Sequence, residues 1–264
     1  MDALIGPDEG PVVDMRQGDG PFVVACEHAS NRLPRALGGL GLSQADLQRH
    51  IAWDPGAADL ADSLAARLGG DLLKQRFSRL AIDCNRSSEL LDAIAALSED
   101  TTIPGNLRLT AEAREDRVAA FWAPFHAALE ALIDRRLGQR RPTTLVTVHS
   151  FTPVYRGVAR PWHVGIISTD ERGLADAVLA ALRRDRTLVV GDNEPYSAKD
   201  NVDYTIRRHG RDRGLPHVMI EIRNDLLRTE KDIARWTERL TDALIDSAAA
   251  LELVPATAQR RRDT

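Results

Sequence analysis

Seven short apolar runs punctuate the chain, at 22–26, 72–77, 80–83, 145–149, 164–168, 188–190 and 218–222, each bounded by turn residues. They are continuously apolar rather than alternating, so the strands they predict are covered on both faces, as in a sheet packed between helices. Helical patterns fill the intervals at 43–50, 56–68, 110–137, 171–183 and 230–251. Thr110, with Glu112 just after it, reads as the N-cap of a long amphipathic helix that Gly138 ends. This interleaving predicts an α/β fold: a single three-layer α/β/α domain on a mixed, mostly parallel central sheet. No repeat and no Gly/Ser linker divides the 264 residues, and only 1–20 and 259–264 read as loose ends.

Charge narrows the function. Lys and Arg number 35 against 39 Asp and Glu, a formal charge of −4, which gives no general attraction to phosphate backbones or anionic membranes. No nucleic-acid partner and no membrane partner are expected, and any anion site must be built locally. The three arginines at 260–262, without interleaved aromatics, read as a solubilising end. Cys26 and Cys84 are too few for a disulfide scaffold and read as reduced, buried thiols. With no secretion signal at the acidic N-terminal stretch, a cytoplasmic location is expected.

Ligands of such sheets sit beyond the carboxyl ends of the strands. Four apolar runs end in unusual polarity there: Glu27-His28-Ala29-Ser30-Asn31, Asp83-Cys84-Asn85-Arg86, His149-Ser150 and Glu221-Ile222-Arg223. A lone charged residue at a strand end is ordinarily a solvated rim residue. Two histidines and several carboxylates arriving together point instead to a hydrolytic metal site, with His28 and His149 as ligands and Glu221 as general base. A catalytic zinc takes three protein ligands and leaves a position for water. The other histidines, His50, His126, His163, His209 and His217, read individually as structural. A serine or cysteine hydrolase is disfavoured because no Gly-x-Ser-x-Gly elbow occurs and neither cysteine has an activating neighbourhood. Phosphate-cradling glycine motifs are absent too.

These blocks, with Trp53-Asp54-Pro55-Gly56-Ala57, Arg79-Leu80-Ala81-Ile82-Asp83-Cys84-Asn85-Arg86, Val148-His149-Ser150-Phe151-Thr152-Pro153 and Asn193-Glu194-Pro195-Tyr196-Ser197, resemble the N-formylglutamate amidohydrolase family. The likeness runs from about Pro21 to Asn224, and its layout is similar to that of the zinc carboxypeptidases and aspartoacylases. The resemblance implies a carboxypeptidase-like fold and a zinc cofactor (Zn2+). It implies His28 and His149 as metal ligands, Asn85 and Arg86 as grips on a substrate carboxylate, and Glu221 as general base and later acid. Related layouts carry a His-x-x-Glu after the first strand, where this chain has Asn31. The third ligand is therefore Asp54, Glu27 or Asn31, and Asp54 is preferred, although the same residue also reads as an N-cap for the helix at 56–68.

The expected reaction is hydrolysis of N-formyl-L-glutamate, or a similar N-acyl amino acid, to formate and the free amino acid. Its partner is a small-molecule dicarboxylate. Two carboxylates need two cationic clamps, and guanidinium forks suit them. Arg86 is the first choice, with Arg156, Arg207, Arg208 and Arg32 unranked for the second. Arg223, on the same side of its strand as Glu221, is expected to polarise the carbonyl or bind substrate. Tyr196 lies in a candidate lid at 191–204 and is also expected to bind substrate. A deacylase or peptidase acting on another N-acyl amino acid, and a metal-free amino-acid-binding protein, are the alternatives.

Overall fold

Seven strands form one sheet in the order β1 (Val13–Arg16), β3 (Asp71–Gln75), β2 (Phe22–Cys26), β6 (Thr144–Phe151), β11 (His217–Arg223), β9 (Val164–Ile167), β10 (Val190–Asp192). The computed structural model describes residues 4–196 and 203–253. Two short hairpins, β4 (Leu97–Ser98) with β5 (Thr101–Thr102) and β7 (Val154–Tyr155) with β8 (Val158–Ala159), stand outside the sheet. The helices are α1 (Gln44–Leu47), α2 (Ala57–Leu68), α3 (Ala111–Arg117), α4 (Ala123–Gly138), α5 (Gly173–Leu182), α6 (Tyr204–His209) and α7 (Glu230–Ala250). The pairs β3–β2, β2–β6, β6–β11 and β9–β10 are parallel, and β1–β3 and β11–β9 are antiparallel. This is the mixed, mostly parallel α/β sheet expected.

Period-2 alternation of the strands divides the core. Phe22, Val24, Val146, Val148, Val218 and Ile220 face α2, α5 and α7, burying Leu60, Leu64, Val178, Trp236 and Leu240 on that side. Val23, Ala25, Leu73 and Leu145 face the other way, onto Phe125, Leu129, Leu132 and Ile133 of α4. Both faces of the central strands are thus covered, which is why their sequences are apolar without a break.

Three expectations are corrected. The run at 80–83 forms no strand: its backbone is held by side chains instead, with Asn106 Nδ2 donating to the Leu80 carbonyl (2.9 Å) and Arg117 Nη1 to that of Ala81 (3.1 Å). Leu80, Ala81 and Ile82 are apolar because the turn is wedged between two smaller cores. The segment 1–20, expected to be loose, carries the edge strand β1; its largely exposed Val-Asp-Met-Arg pattern is too short and polar to signal a strand. The helix expected at 110–137 begins as predicted, with Thr110 Oγ1 accepting from Ala113 N, but a π-helical turn at Val118–Trp122 separates α3 from α4. The tail at 259–264 lies outside the described residues.

A buried ion pair ties one edge of this frame. The side chains of Asp71, opening β3, and Arg136, near the end of α4, are both fully buried and joined, and Arg136 Nη2 also donates to the carbonyls of Gly20 and Pro142 (2.7 Å each). Replacing Asp71 by Ala strands a guanidinium in the interior and is expected to cost about 3 kcal/mol in urea unfolding. The double variant Asp71→Ala/Arg136→Met removes both charges and should recover most of that loss.

Candidate active site

Parallel pairing sets the site's row of groups. Ala25 is the register partner of Thr147, and His149 is the partner of Glu221. Two residues past Ala25, Glu27 therefore falls beside His149, so three adjacent strand ends present Glu27, His149 and Glu221 on the α4–α6 side of the sheet. His28 follows Glu27 directly. Asp54 reaches the same point from the loop before α2. The cap of that helix is Gly56, at φ +80, where an added Cβ would lie 2.5 Å from Leu227 Cβ. Asp54 gives only its carbonyl to the turn, accepting from Ala57 N at 3.1 Å, and its carboxylate is left for the site.

Asp54 Oδ2 lies 3.2 Å from His28 Nδ1 and 2.9 Å from His149 Nδ1, and accepts from Ser150 N at 3.3 Å. The two Nδ1 atoms are themselves 3.2 Å apart. Among the described residues these three side chains form the one group of His, Cys, Asp and Glu able to converge on a metal, their ligand atoms within 4.8 Å of one another. The outer nitrogens are also backed by acid. His28 Nε2 donates to Asp83 Oδ1 at 2.7 Å, and His149 Nε2 lies 3.1 Å from Glu27 Oε2, in ion-pair contact but off the line of a hydrogen bond. Arg79 closes the group, reaching Asp83 Oδ2 at 2.6 Å and Asp54 Oδ1 at 3.4 Å.

The charges explain the proton affinities. Burial opposes ionisation of Glu27, Asp54 and Asp83, yet their cationic neighbours outweigh it and all three stay below the usual carboxylate range. For Glu27 and Asp54 those neighbours are His149 and His28, and for Asp83 chiefly Arg79. Burial and Arg79 oppose a charge on His28, but Asp83 and Asp54 hold its pKa above the ordinary value; for His149, Glu27 and Asp54 overcome burial by more. Three carboxylates against one guanidinium leave an excess of negative charge, which favours protons on His28 and His149. Glu221 differs: burial outweighs the opposing pull of His149 and holds its carboxyl at about 7, and its Oε2 has no hydrogen-bond partner among the described residues.

The other expected residues are distributed unevenly. Asn31 donates to the Leu47 carbonyl (2.9 Å) and stands outside the group. Asn85 is buried, its Oδ1 accepting from Thr205 N at 3.2 Å, so it ties the loop at 83–86 to α6. That loop is pinned twice more, by Trp122 Nε1 to the Arg86 carbonyl and His126 Nε2 to the Cys84 carbonyl, both 2.9 Å. Arg86 pairs with Asp92 (2.6 Å) and Asp83 (3.5 Å). Arg223 pairs with Asp225 (2.7 Å), Arg207 with Asp203 (2.6 Å), and Arg156 sits exposed at the β7–β8 turn. Tyr196 borders the site: burial first and the nearby Glu221 charge second push its pKa up to about 12. The rest of the candidate lid, 197–202, lies outside the described residues. Sequence reasoning missed Arg79 and Arg160, the latter donating to the Tyr196 hydroxyl at 3.1 Å. The i,i+4 spacing of Arg79 to Asp83, within the Arg79–Arg86 block, was the available signal.

The N-formylglutamate amidohydrolase family pattern matches residues 20–228. The chain belongs to that family. An Agrobacterium tumefaciens gene product of known structure shares 39% identity over 94% of this chain and 99% of its own, with a TM-score of 0.92. An N-formylglutamate amidohydrolase from Ralstonia eutropha JMP134 shares the fold at 20% identity, covering 92% of this chain and 99% of its own, with a TM-score of 0.67. No curated protein sequence matches. As a member of the N-formylglutamate amidohydrolase family the chain is a hydrolase of amide bonds.

Glu221 gives this amidohydrolase a pH signature. Its pKa rises from 4.5 unfolded to about 7 folded, so the fold favours the protonated form and loses stability as pH climbs through that window. In metal-free protein, Glu221→Gln should raise stability by roughly 1–3 kcal/mol at pH 8 and leave it unchanged near pH 4. Thermal unfolding at the two pH values checks this.

Proposed function

We propose that this amidohydrolase cleaves N-formyl-L-glutamate to formate and L-glutamate, using a zinc ion held by His28, Asp54 and His149. The convergence of two imidazole Nδ1 atoms and one carboxylate oxygen on a single point carries the reading. Two imidazoles and a carboxylate are the donor set of an open, catalytic zinc site. Asp83, accepting from His28 Nε2, fixes that ring's orientation, and the Glu27 charge beside His149 Nε2 favours a proton there; both favour the tautomer that turns an Nδ1 lone pair inward. A dication also offsets the excess of negative charge that Glu27, Asp54 and Asp83 carry over Arg79. Bound there, zinc would polarise the formyl carbonyl and make water more acidic.

The chain's own residues do the rest. Glu221, poised near neutral pH, takes a proton from the water that attacks the formyl carbon. The same carboxyl then delivers that proton to the glutamate nitrogen as the C–N bond breaks. Arg79 holds Asp54 and Asp83 in place, and so the two histidines they touch. Arg86 receives one substrate carboxylate, exchanging it for the exposed Asp92. Tyr196 covers the pocket. Arg223, engaged with Asp225, anchors the rim. The buried, unbridged Cys26 and Cys84 suit a reducing, cytoplasmic setting. Among the described residues no helix is long and apolar enough to cross a membrane.

Protein stripped of metal by a chelator should lose hydrolysis of N-formyl-L-glutamate and regain it with added zinc. Full activity in demonstrably metal-free protein would remove the zinc assignment. Glu221→Gln should lower kcat by about 10³-fold while metal content stays at the wild-type level. In the wild type, kcat/KM should fall on acidification through a limb at or below the Glu221 value of about 7.

A further inference from the structure

We infer that Arg160 receives a carboxylate of the substrate, in a subsite walled by Tyr155 and Tyr196. The inference rests on the amidohydrolase reading above and supplies the second cationic clamp that a dicarboxylate needs. Arg160 directly follows β8 and is 9% exposed. Its guanidinium carbon stands 4.6 Å from the centre of the Tyr155 ring, 4.9 Å from that of Tyr196 and 5.8 Å from that of Phe151. Nη1 donates to the Tyr196 hydroxyl at 3.1 Å, the side chain's one hydrogen bond among the described residues, and no carboxylate there is within ion-pair reach.

A guanidinium removed from water without a counter-charge is costly, and this chain avoids that cost elsewhere. Arg79, Arg86, Arg207 and Arg223 all face acids. Arg117, buried without an acid, donates instead to the carbonyls of Ala81 and Gly105 and to Asn106 Oδ1. Among the described residues Arg160 has neither form of compensation. The aromatic rings provide cation–π attraction, but they leave in-plane N–H groups unmatched, and a planar fork of that kind fits the two oxygens of a carboxylate.

The subsite adjoins the chemistry. Phe151 lies two residues beyond His149 on β6 and is the register partner of Arg223, as Glu221 is of His149. Tyr196 feels the charges of both Glu221 and Arg79. The main chain at Arg160 is fixed at both ends, its N–H donating to the Pro153 carbonyl (2.8 Å) and its carbonyl accepting from Arg223 Nη1 (3.4 Å). Because Tyr196 accepts from Arg160, its own hydroxyl proton is left to donate to the same carboxylate.

The test compares N-formyl-L-glutamate with its γ-amide and its α-amide, each lacking one carboxylate charge. Wild type should prefer the diacid. Arg160→Met should raise KM for the diacid about 10- to 100-fold, with kcat changed by less than about threefold. It should also abolish discrimination against one of the two amides, and that amide identifies which carboxylate Arg160 holds. Arg160→Lys, which keeps the charge without the fork, should fall between, and it carries the same ratio if the methionine variant does not fold. Unchanged discrimination in either folded variant overturns the inference. Glutarate, read by thermal shift, separates this from the functional reading: it should stabilise wild type and not Arg160→Met. Glutarate binding that depends on Arg160, in a wild type that hydrolyses no N-formyl amino acid, would uphold the subsite and refute the proposed function. Hydrolysis with equal glutarate binding in wild type and Arg160→Met would do the reverse.

Discussion

The Asp54 carboxylate joins three parts of the chain that are far apart in sequence. Its Oδ2 meets His28 from the end of β2, His149 from within β6 and the Ser150 amide, while Oδ1 faces Arg79. All of these depend on the parallel register of β2, β6 and β11, which brings Glu27, His149 and Glu221 level. A one-residue slip of any of these strands would turn its polar group to the opposite face and into the apolar layer formed by α2, α5 and α7. The hydrophobic pattern that forbids such a slip is therefore also what assembles the site.

Electrostatics divides the buried acids into two kinds. Glu27, Asp54 and Asp83 sit against histidines or arginine and stay ionised despite burial. Glu221 occupies the same region without, among the described residues, a cationic partner in hydrogen-bond contact, and burial holds it at about 7. The first kind can build a cation site, and the second can carry a proton in both directions near neutral pH. The contrast arises from which residues face each carboxylate, not from residue type.

Much of this was legible in the chain. Continuous apolar runs gave the central strands because those strands are covered on both faces, and His28, His149 and Glu221 stood out as polar residues where such runs end. The run at 80–83 misled because a turn clamped by Asn106 and Arg117 is as buried as a strand, and burial, not extension, is what apolarity reports. Strand β1 was missed for the converse reason: an edge strand of four residues needs little apolarity. Arginine roles were the least readable. Whether a guanidinium is neutralised depends on contacts such as Arg86 with Asp92 or Arg223 with Asp225, and composition shows only that the chain is rich in both charges.

The proposed chemistry depends on His28, Asp54 and His149 forming one cation site. Anomalous diffraction from crystals of zinc-loaded protein, recorded on both sides of the zinc absorption edge, tests that most directly. One peak bounded by His28 Nδ1, His149 Nδ1 and an Asp54 carboxylate oxygen is the predicted result. Zinc bound at other residues, with those three side chains left in contact with one another, would contradict it.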